Sequence, residues 1–233
     1  MKQYFIQKEK HPRLVLFFAG WGMDEHPFID YRSVDSDLLL CYDYRSPDFD
    51  FSLLKGYRHI RLVGWSMGVR AAADALQRAD LPIEESIAVN GTMAPVDDAC
   101  GIPEAIFQGT LEGLDERNLL KFRRRMCGSS EALKAFLEKA PRRGVEELRD
   151  ELRRMGERAT ALPPPAFRWG KAVIGKGDLI FTPECQQNAW RDTGTECVYL
   201  DMPHYSEEIL RRLLLNNGKE NNLISSSQKY LSF

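Results

Sequence analysis

The pentapeptide Gly64-Trp65-Ser66-Met67-Gly68 constrains this chain more than any other segment. An apolar, β-branched stretch precedes it (His59-Ile60-Arg61-Leu62-Val63), and an Ala-rich run follows it from Val69 to Leu76. The order is strand, G-x-S-x-G, helix. It reads as a nucleophile elbow, a tight turn that holds a serine hydroxyl above the C-terminal edge of a sheet. Glycine suits positions 64 and 68, because a side chain there would collide with the turn or with the packed helix and strand. Glycine also tolerates a strained backbone. A serine held this way stands where a histidine can take its proton and where backbone N–H groups can hold an oxyanion. A glycine-rich βα turn with an incidental serine has the same five letters, so the rest of the chain must supply an acid and a histidine.

The surrounding pattern is that of an α/β protein. Leu14-Val15-Leu16-Phe17-Phe18-Ala19 is a continuous apolar run of strand length, as expected for a strand buried on both faces. It ends in Gly20-Trp21-Gly22, a loop. Leu38 to Tyr42 is a second such strand, Ile60 to Val63 the third, and Ile87-Ala88-Val89 the fourth, ending in Asn90-Gly91-Thr92. Helices or loops separate them, which implies a mostly parallel sheet with crossover helices. From about Pro103 to Leu162 the period changes. Leu119 and Phe122, then Leu133 and Phe136, then Val145, Leu148, Leu152 and Met155 recur at helical spacing. Residues 103–162 therefore read as a helical lid inserted into a core formed by 1–102 and 163–215. Pro163-Pro164-Pro165 closes the insertion, since it cannot continue a helix. Strand character resumes at Ala172-Val173-Ile174 and at Cys197 to Leu200, and a last helix covers about Ser206 to Leu215. The Asn- and Ser-rich tail, 216–233, is expected to be weakly held.

Composition narrows the class further. The 233 residues suffice for one sizeable domain with an inserted lobe. A formal net charge of −2 argues against nucleic acid as the main partner. No apolar run reaches the roughly 20 residues that span a bilayer, and the N-terminal residues lack the long apolar region of a signal peptide. A cytoplasmic location is the expectation. The five cysteines are odd in number, widely spread and without a C-x-x-C, so neither a disulfide framework nor a zinc site fits. They are expected to be reduced, several packing as small apolar groups.

Only four histidines exist. His11 precedes the first buried strand. His59 opens the strand leading to the elbow and so lies at the opposite end of the sheet from Ser66. His26, on the loop after Gly22, is a contender. His204 follows the last strand, in Asp201-Met202-Pro203-His204, and is the expected general base. The acid should fall between Ser66 and His204 in sequence. Asp178, in the Gly-rich turn Gly175-Lys176-Gly177-Asp178 after the strand at Ala172 to Ile174, fits that place. It would accept the histidine's Nδ1–H and fix the tautomer. The competing reading of Asp178 is an Asx-turn residue, and Asp97 and Asp98 are the alternative acids. An oxyanion hole needs two backbone donors. Met67, after the nucleophile, supplies one, and Trp21, between two glycines on the loop after the first buried strand, supplies the other. The Trp21 indole can line the pocket at the same time.

With Ala19-Gly20-Trp21-Gly22, Gly64-Trp65-Ser66-Met67-Gly68, Asp178 and His204 in order, the chain resembles the α/β-hydrolase superfamily over most of its length. More narrowly, Phe17 to Asp24 with the G-W-S-x-G elbow looks like the BioG-type pimeloyl-[acyl-carrier-protein] methyl ester esterases of biotin synthesis. Two departures stand out. Pro203 replaces the usual glycine before the catalytic histidine, and Asp43-Tyr44-Arg45-Ser46-Pro47 replaces the glycine-rich turn of many hydrolases.

The resemblance implies a serine carboxylesterase that cleaves the methyl ester of a pimeloyl chain on an acyl carrier protein, with no metal or cofactor. A thioesterase or acyltransferase, or a small-ester carboxylesterase, would use the same triad. A non-catalytic binding protein on the same fold is the reading from another class. Trp65 and a basic insertion would bind substrate and carrier. Residues 115–158 carry 13 Lys and Arg against 9 Asp and Glu, densest at Arg123-Arg124-Arg125 and Arg142-Arg143. Such a surface would steer an acidic carrier protein, and a solvated helix face of mixed charge is the competing reading.

Overall fold

The computed structural model describes residues 1–215. The tail at 216–233 lies outside the described residues. Seven strands form one sheet: β1 (Lys2–Gln7), β2 (Arg13–Phe18), β3 (Ser36–Tyr42), β4 (His59–Trp65), β5 (Ile83–Val89), β6 (Lys171–Gly175) and β7 (Glu196–Leu200). Their spatial order is β1-β3-β2-β4-β5-β6-β7. All neighbours are parallel except β1, which runs antiparallel to β3 at the edge. This is the α/β-hydrolase architecture. The apolar runs seen in the sequence are the central strands. β2 and β3 are buried almost throughout, because helices cover both faces of the sheet. β1 had no such signature. It is a half-exposed edge strand with a short alternation, and an edge needs only one apolar face.

The pleat sends successive side chains of β2 to opposite faces. Leu14, Leu16 and Phe18 join one core layer, with residues of α1 (Gly68–Leu76) and α6 (Pro183–Trp190). Val15, Phe17 and Ala19 join the other, with residues of α7 (Glu207–Leu215). Between β5 and β6 lie four helices: α2 (Glu104–Glu112), α3 (Glu116–Cys127), α4 (Ser130–Glu138) and α5 (Val145–Ala161). Their boundaries follow from local chemistry. Asp115 and Ser129 cap α3 and α4 by accepting from the N–H groups of Asn118 and Ala132, and Gly128 ends α3 at φ +74°. α5 stops just ahead of the three prolines.

The insert belongs to both core layers. Phe107, Leu148, Leu152 and Met155 pack into the first, and Met126, Leu133 and Phe136 into the second. All five cysteines are free, with Cys41, Cys127 and Cys185 buried. No helix among the described residues is long and apolar enough to cross a membrane.

Candidate active site

The site is built where β4 hands over to α1. Ser66 sits in the left-handed region at φ +58°, rare for a residue with a side chain and costing on the order of 1–3 kcal/mol. Its N–H donates to Val89 O at 2.9 Å and its carbonyl accepts from Val69 N–H at 3.1 Å, so β5 and α1 hold the turn from both sides. The flanking glycines are required by close approach. A Cβ at Gly68 would fall against the carbonyl oxygens of Phe18 and Ala19, and one at Gly64 would lie 2.8 Å from the Trp169 ring.

Ser66, Asp178 and His204 meet at this turn, though 138 residues separate the serine from the histidine. Ser66 Oγ lies 2.9 Å from His204 Nε2, and His204 Nδ1 lies 2.8 Å from Asp178 Oδ2. All three are buried. The carboxylate settles the tautomer. Asp178 accepts at both oxygens from other N–H donors, so Nδ1 donates to it, which leaves the Nε2 lone pair to accept from Ser66 O–H. Asp178 also accepts at Oδ1 from the N–H groups of Ile180 (2.8 Å) and Phe181 (3.0 Å). It is thus an Asx-turn residue and the histidine's partner at once, and the two sequence readings coincide. Asp97 and Asp98 instead accept from nearby backbone N–H groups at residues 99, 100 and 104. His26 donates from Nδ1 to Ala140 O and accepts at Nε2 from Arg142, joining the insert to the core away from Ser66. His59 pairs with Glu84 at the far end of β4.

Sequence reasoning missed two residues that hold the triad. Asn90 follows β5 at φ +46° and is fully buried. Its Nδ2 donates to the carbonyls of His204 (2.9 Å) and Pro203 (3.0 Å), and its Oδ1 accepts from Gly175 N–H at 2.7 Å. Gln186, on α6, donates from Nε2 to Asp178 Oδ2 at 3.3 Å and to Phe181 O at 2.7 Å. An Asn-Gly pair after a strand is a turn signal, and it pointed to Asn90 without saying what its amide does. Gln186 left no signal.

A pocket of about 620 Å³, mouth included, opens over Ser66 and His204. Trp21, Trp65, Met67, Phe107, Phe122 and Leu152 line it, and Ile106 and Leu179 are exposed at its rim. Gly20, Trp21 and Met67 border the same space as Ser66. The Trp21 indole donates to Leu148 O at 2.9 Å and packs edge-to-face on Phe122 with centroids 5.2 Å apart. Trp65 lines the pocket but is nearly inaccessible, and its indole N–H donates to His204 O at 2.9 Å. It holds the histidine loop as well as walling the pocket.

The five arginines separate. Arg143 is a correction: its side chain is 5% exposed and locked in ion pairs with Asp43, Glu147 and Glu151, so it offers nothing to a docking partner. Arg123 is half-buried over the Phe136 ring, where burial lowers its pKa. Arg142 is engaged with His26. Arg124 and Arg125 are exposed, and of the five arginines Arg125 alone borders the pocket.

Residues 1–208 match the family described as "Pimeloyl-ACP methyl esterase BioG". The chain belongs to the BioG family. A crystal structure of SeMet-BioG from Haemophilus influenzae superposes with a TM-score of 0.81 at 37% identity, covering 88% of this chain and 94% of that one. A Bacteroides fragilis protein named malonyl-[acyl-carrier protein] O-methyltransferase is 52% identical over 200 residues, 86% of this chain. This chain spans only about two fifths of that relative's length, 41%. MenH from S. aureus, at 13% identity and a TM-score of 0.62 over 96% of this chain and 95% of that one, shares the fold.

Proposed function

We propose that this BioG-family protein is a serine esterase that hydrolyses the methyl ester of a pimeloyl chain carried on an acyl carrier protein. The observation that carries the reading is the hydrogen-bonded line Ser66–His204–Asp178 at the floor of an apolar pocket. Ser66 Oγ attacks the ester carbonyl while His204 Nε2 takes its proton. Asp178 stabilises the imidazolium through Nδ1–H. The N–H groups of Trp21 and Met67 hold the oxyanion. Collapse expels methoxide, which leaves as methanol with the proton from His204. His204 then deprotonates a water, which attacks the acyl-enzyme and releases the free carboxylate and Ser66.

The apolar wall suits an aliphatic chain whose carboxylate is masked as an ester, because an ionised carboxylate would lose its hydration there. Family membership and the carrier-linked O-methylation named for the Bacteroides relative support a methyl ester on a carrier as the substrate class. Of the five clustered arginines, Arg124 and Arg125 are exposed and stand on α3 beside the pocket, where an acidic carrier would meet them.

The test is hydrolysis of methyl pimeloyl-carrier protein by the wild type and by Ser66→Ala. Release of methanol by the wild type alone supports the reading. Cleavage of the carrier thioester with the methyl ester left intact points to a thioesterase. Turnover of small esters but not the carrier-linked one removes the carrier from the reading. No labelling of the wild type by a fluorophosphonate probe makes the protein a binding module.

A further inference from the structure

A buried charge cluster lies beside the pocket, and the chemistry above gives it no part. Glu151, on α5, is fully buried, and Arg143, just before α5, is 5% exposed. Burying charges costs several kcal/mol per ion unless partners compensate. Here two of the partners, Gly22 and Met23, belong to the loop after β2. Glu151 Oε2 accepts from Arg143 Nη1 at 2.7 Å and from Gly22 N–H at 3.4 Å, and Oε1 accepts from Tyr44 N–H at 2.8 Å. Arg143 Nη1 also donates to Met23 O at 3.2 Å. Asp43 and Glu147 sit within ion-pair distance of Arg143, and Arg45 and Lys2 pair with them, so the cluster is balanced in charge. One helical turn before Glu151, Leu148 O accepts from the Trp21 indole. The loop Gly20-Trp21-Gly22-Met23 is therefore gripped from the insert at three consecutive residues.

We propose that the buried Arg143–Glu151 pair is a positioning device that fixes the Gly20–Met23 loop so that the Trp21 peptide N–H can serve the oxyanion. The inference rests on the serine-esterase reading above. It makes the insert part of the catalytic frame rather than a freely swinging lid: raising α5 would strip Gly22, Met23 and Tyr44 of partners and leave two charges buried alone. A donor displaced by about 1 Å costs on the order of a hundredfold in rate.

Kinetics with a small p-nitrophenyl ester test this in Glu151→Gln and in the double variant Arg143→Met/Glu151→Leu, which replaces the pair by apolar groups and is expected to stay folded. Both should lose about 10- to 100-fold in kcat with KM within about threefold. Affinity for a boronic acid, whose tetrahedral adduct mimics the oxyanion, should fall in parallel with kcat/KM. A structural role alone would leave the boronate affinity of the folded fraction unchanged. Wild-type kcat in the folded double variant overturns the proposal, as does a rise in KM without loss of boronate affinity. Fluorophosphonate labelling separates the two failures. If Ser66→Ala still labels, the esterase reading itself is wrong. If labelling needs Ser66 and the double variant turns over normally, only the positioning device is wrong.

Discussion

Asn90 Nδ2 donates to the backbone carbonyl of His204 at 2.9 Å, across 114 residues of sequence. The same carbonyl accepts from the Trp65 indole. Through Oδ1, Asn90 also accepts from Gly175 N–H, at the end of the strand that leads to Asp178. One fully buried amide thus ties the strand before Asp178 to the loop that carries His204. This bears on the proline before His204. Pro203 has no N–H to anchor that loop, and Asn90 anchors it through the two carbonyls.

Asn90→Ala should lower stability by roughly 2–4 kcal/mol, since it orphans Gly175 N–H and the Pro203 carbonyl. It should lower kcat about 10- to 100-fold with little change in KM. Asn90→Gly loses the same amide but accepts the left-handed backbone without strain. It should regain about 1 kcal/mol of stability over Asn90→Ala and none of the kcat. Urea unfolding and ester kinetics on the two variants check this. Equal kcat in wild type and Asn90→Gly would show that the amide does not position His204.

Gly91 makes the elbow's other close contact. A Cβ there would fall against the Ser66 carbonyl oxygen and 2.8 Å from Val69 Cγ2. Gly91→Ala should cost about 1–3 kcal/mol in stability through overpacking. It should also slow phosphonylation of Ser66 by roughly tenfold or more, because the displaced atoms belong to the turn that holds Ser66. Thermal melting together with the fluorophosphonate labelling rate separates the two effects.

These contacts also explain what could be read from the sequence. β2, β4 and β6 were legible because strands buried on both faces write continuous apolar runs. Ser66, Asp178 and His204 could be singled out as neighbours because one turn motif, a fixed chain order and four histidines left few choices, and they are hydrogen-bonded in a line. β1 was not, since an edge strand buries too little to force a pattern. Asn90, Gln186 and Glu151 were not, because hydrogen bonds to residues far away in sequence leave no local periodicity. Arg143 was misread for a related reason. A pair of arginines looks alike in sequence, and only the fold brings Asp43 to one of them.

Asp43 makes acid stability testable. Burial alone would raise its pKa, but the Arg45 hydrogen bond and the charges of Arg143, Arg45 and Lys2 outweigh burial and hold it at about 2. A carboxyl lowered in the folded state stabilises the protein above its unfolded value. That contribution is lost as the pH falls from about 4 to about 2. Glu151 is shifted upward by burial and acts in the opposite sense, its contribution growing as the pH falls through its folded-state value. Asp43→Asn should therefore be less stable than wild type at pH 6, by about 1 kcal/mol once solvent screening is allowed for, and the gap should close by pH 2. Urea unfolding at several pH values measures the gap, and one that stays constant removes Asp43 from the acid response.

Arg125 is where the substrate reading meets the surface. It is exposed, it borders the pocket, and the rim beside it carries Ile106 and Leu179, 54% and 61% exposed. An acidic carrier would meet this cation as its acyl chain enters between the two aliphatic side chains. A small soluble ester brings no acidic carrier surface to Arg125. Reversing Arg124 and Arg125 to Glu should raise KM for the carrier-linked ester on the order of tenfold and leave the small ester within about twofold. Because the contact is exposed, added salt should weaken the wild type toward the variant, the Debye length falling to about 3 Å at 1 M. Steady-state kinetics of both substrates at low and high salt decide the matter. Equal effects on the two esters would mean that the reversal disturbs the pocket itself, and no effect on either would move the carrier's docking surface away from α3.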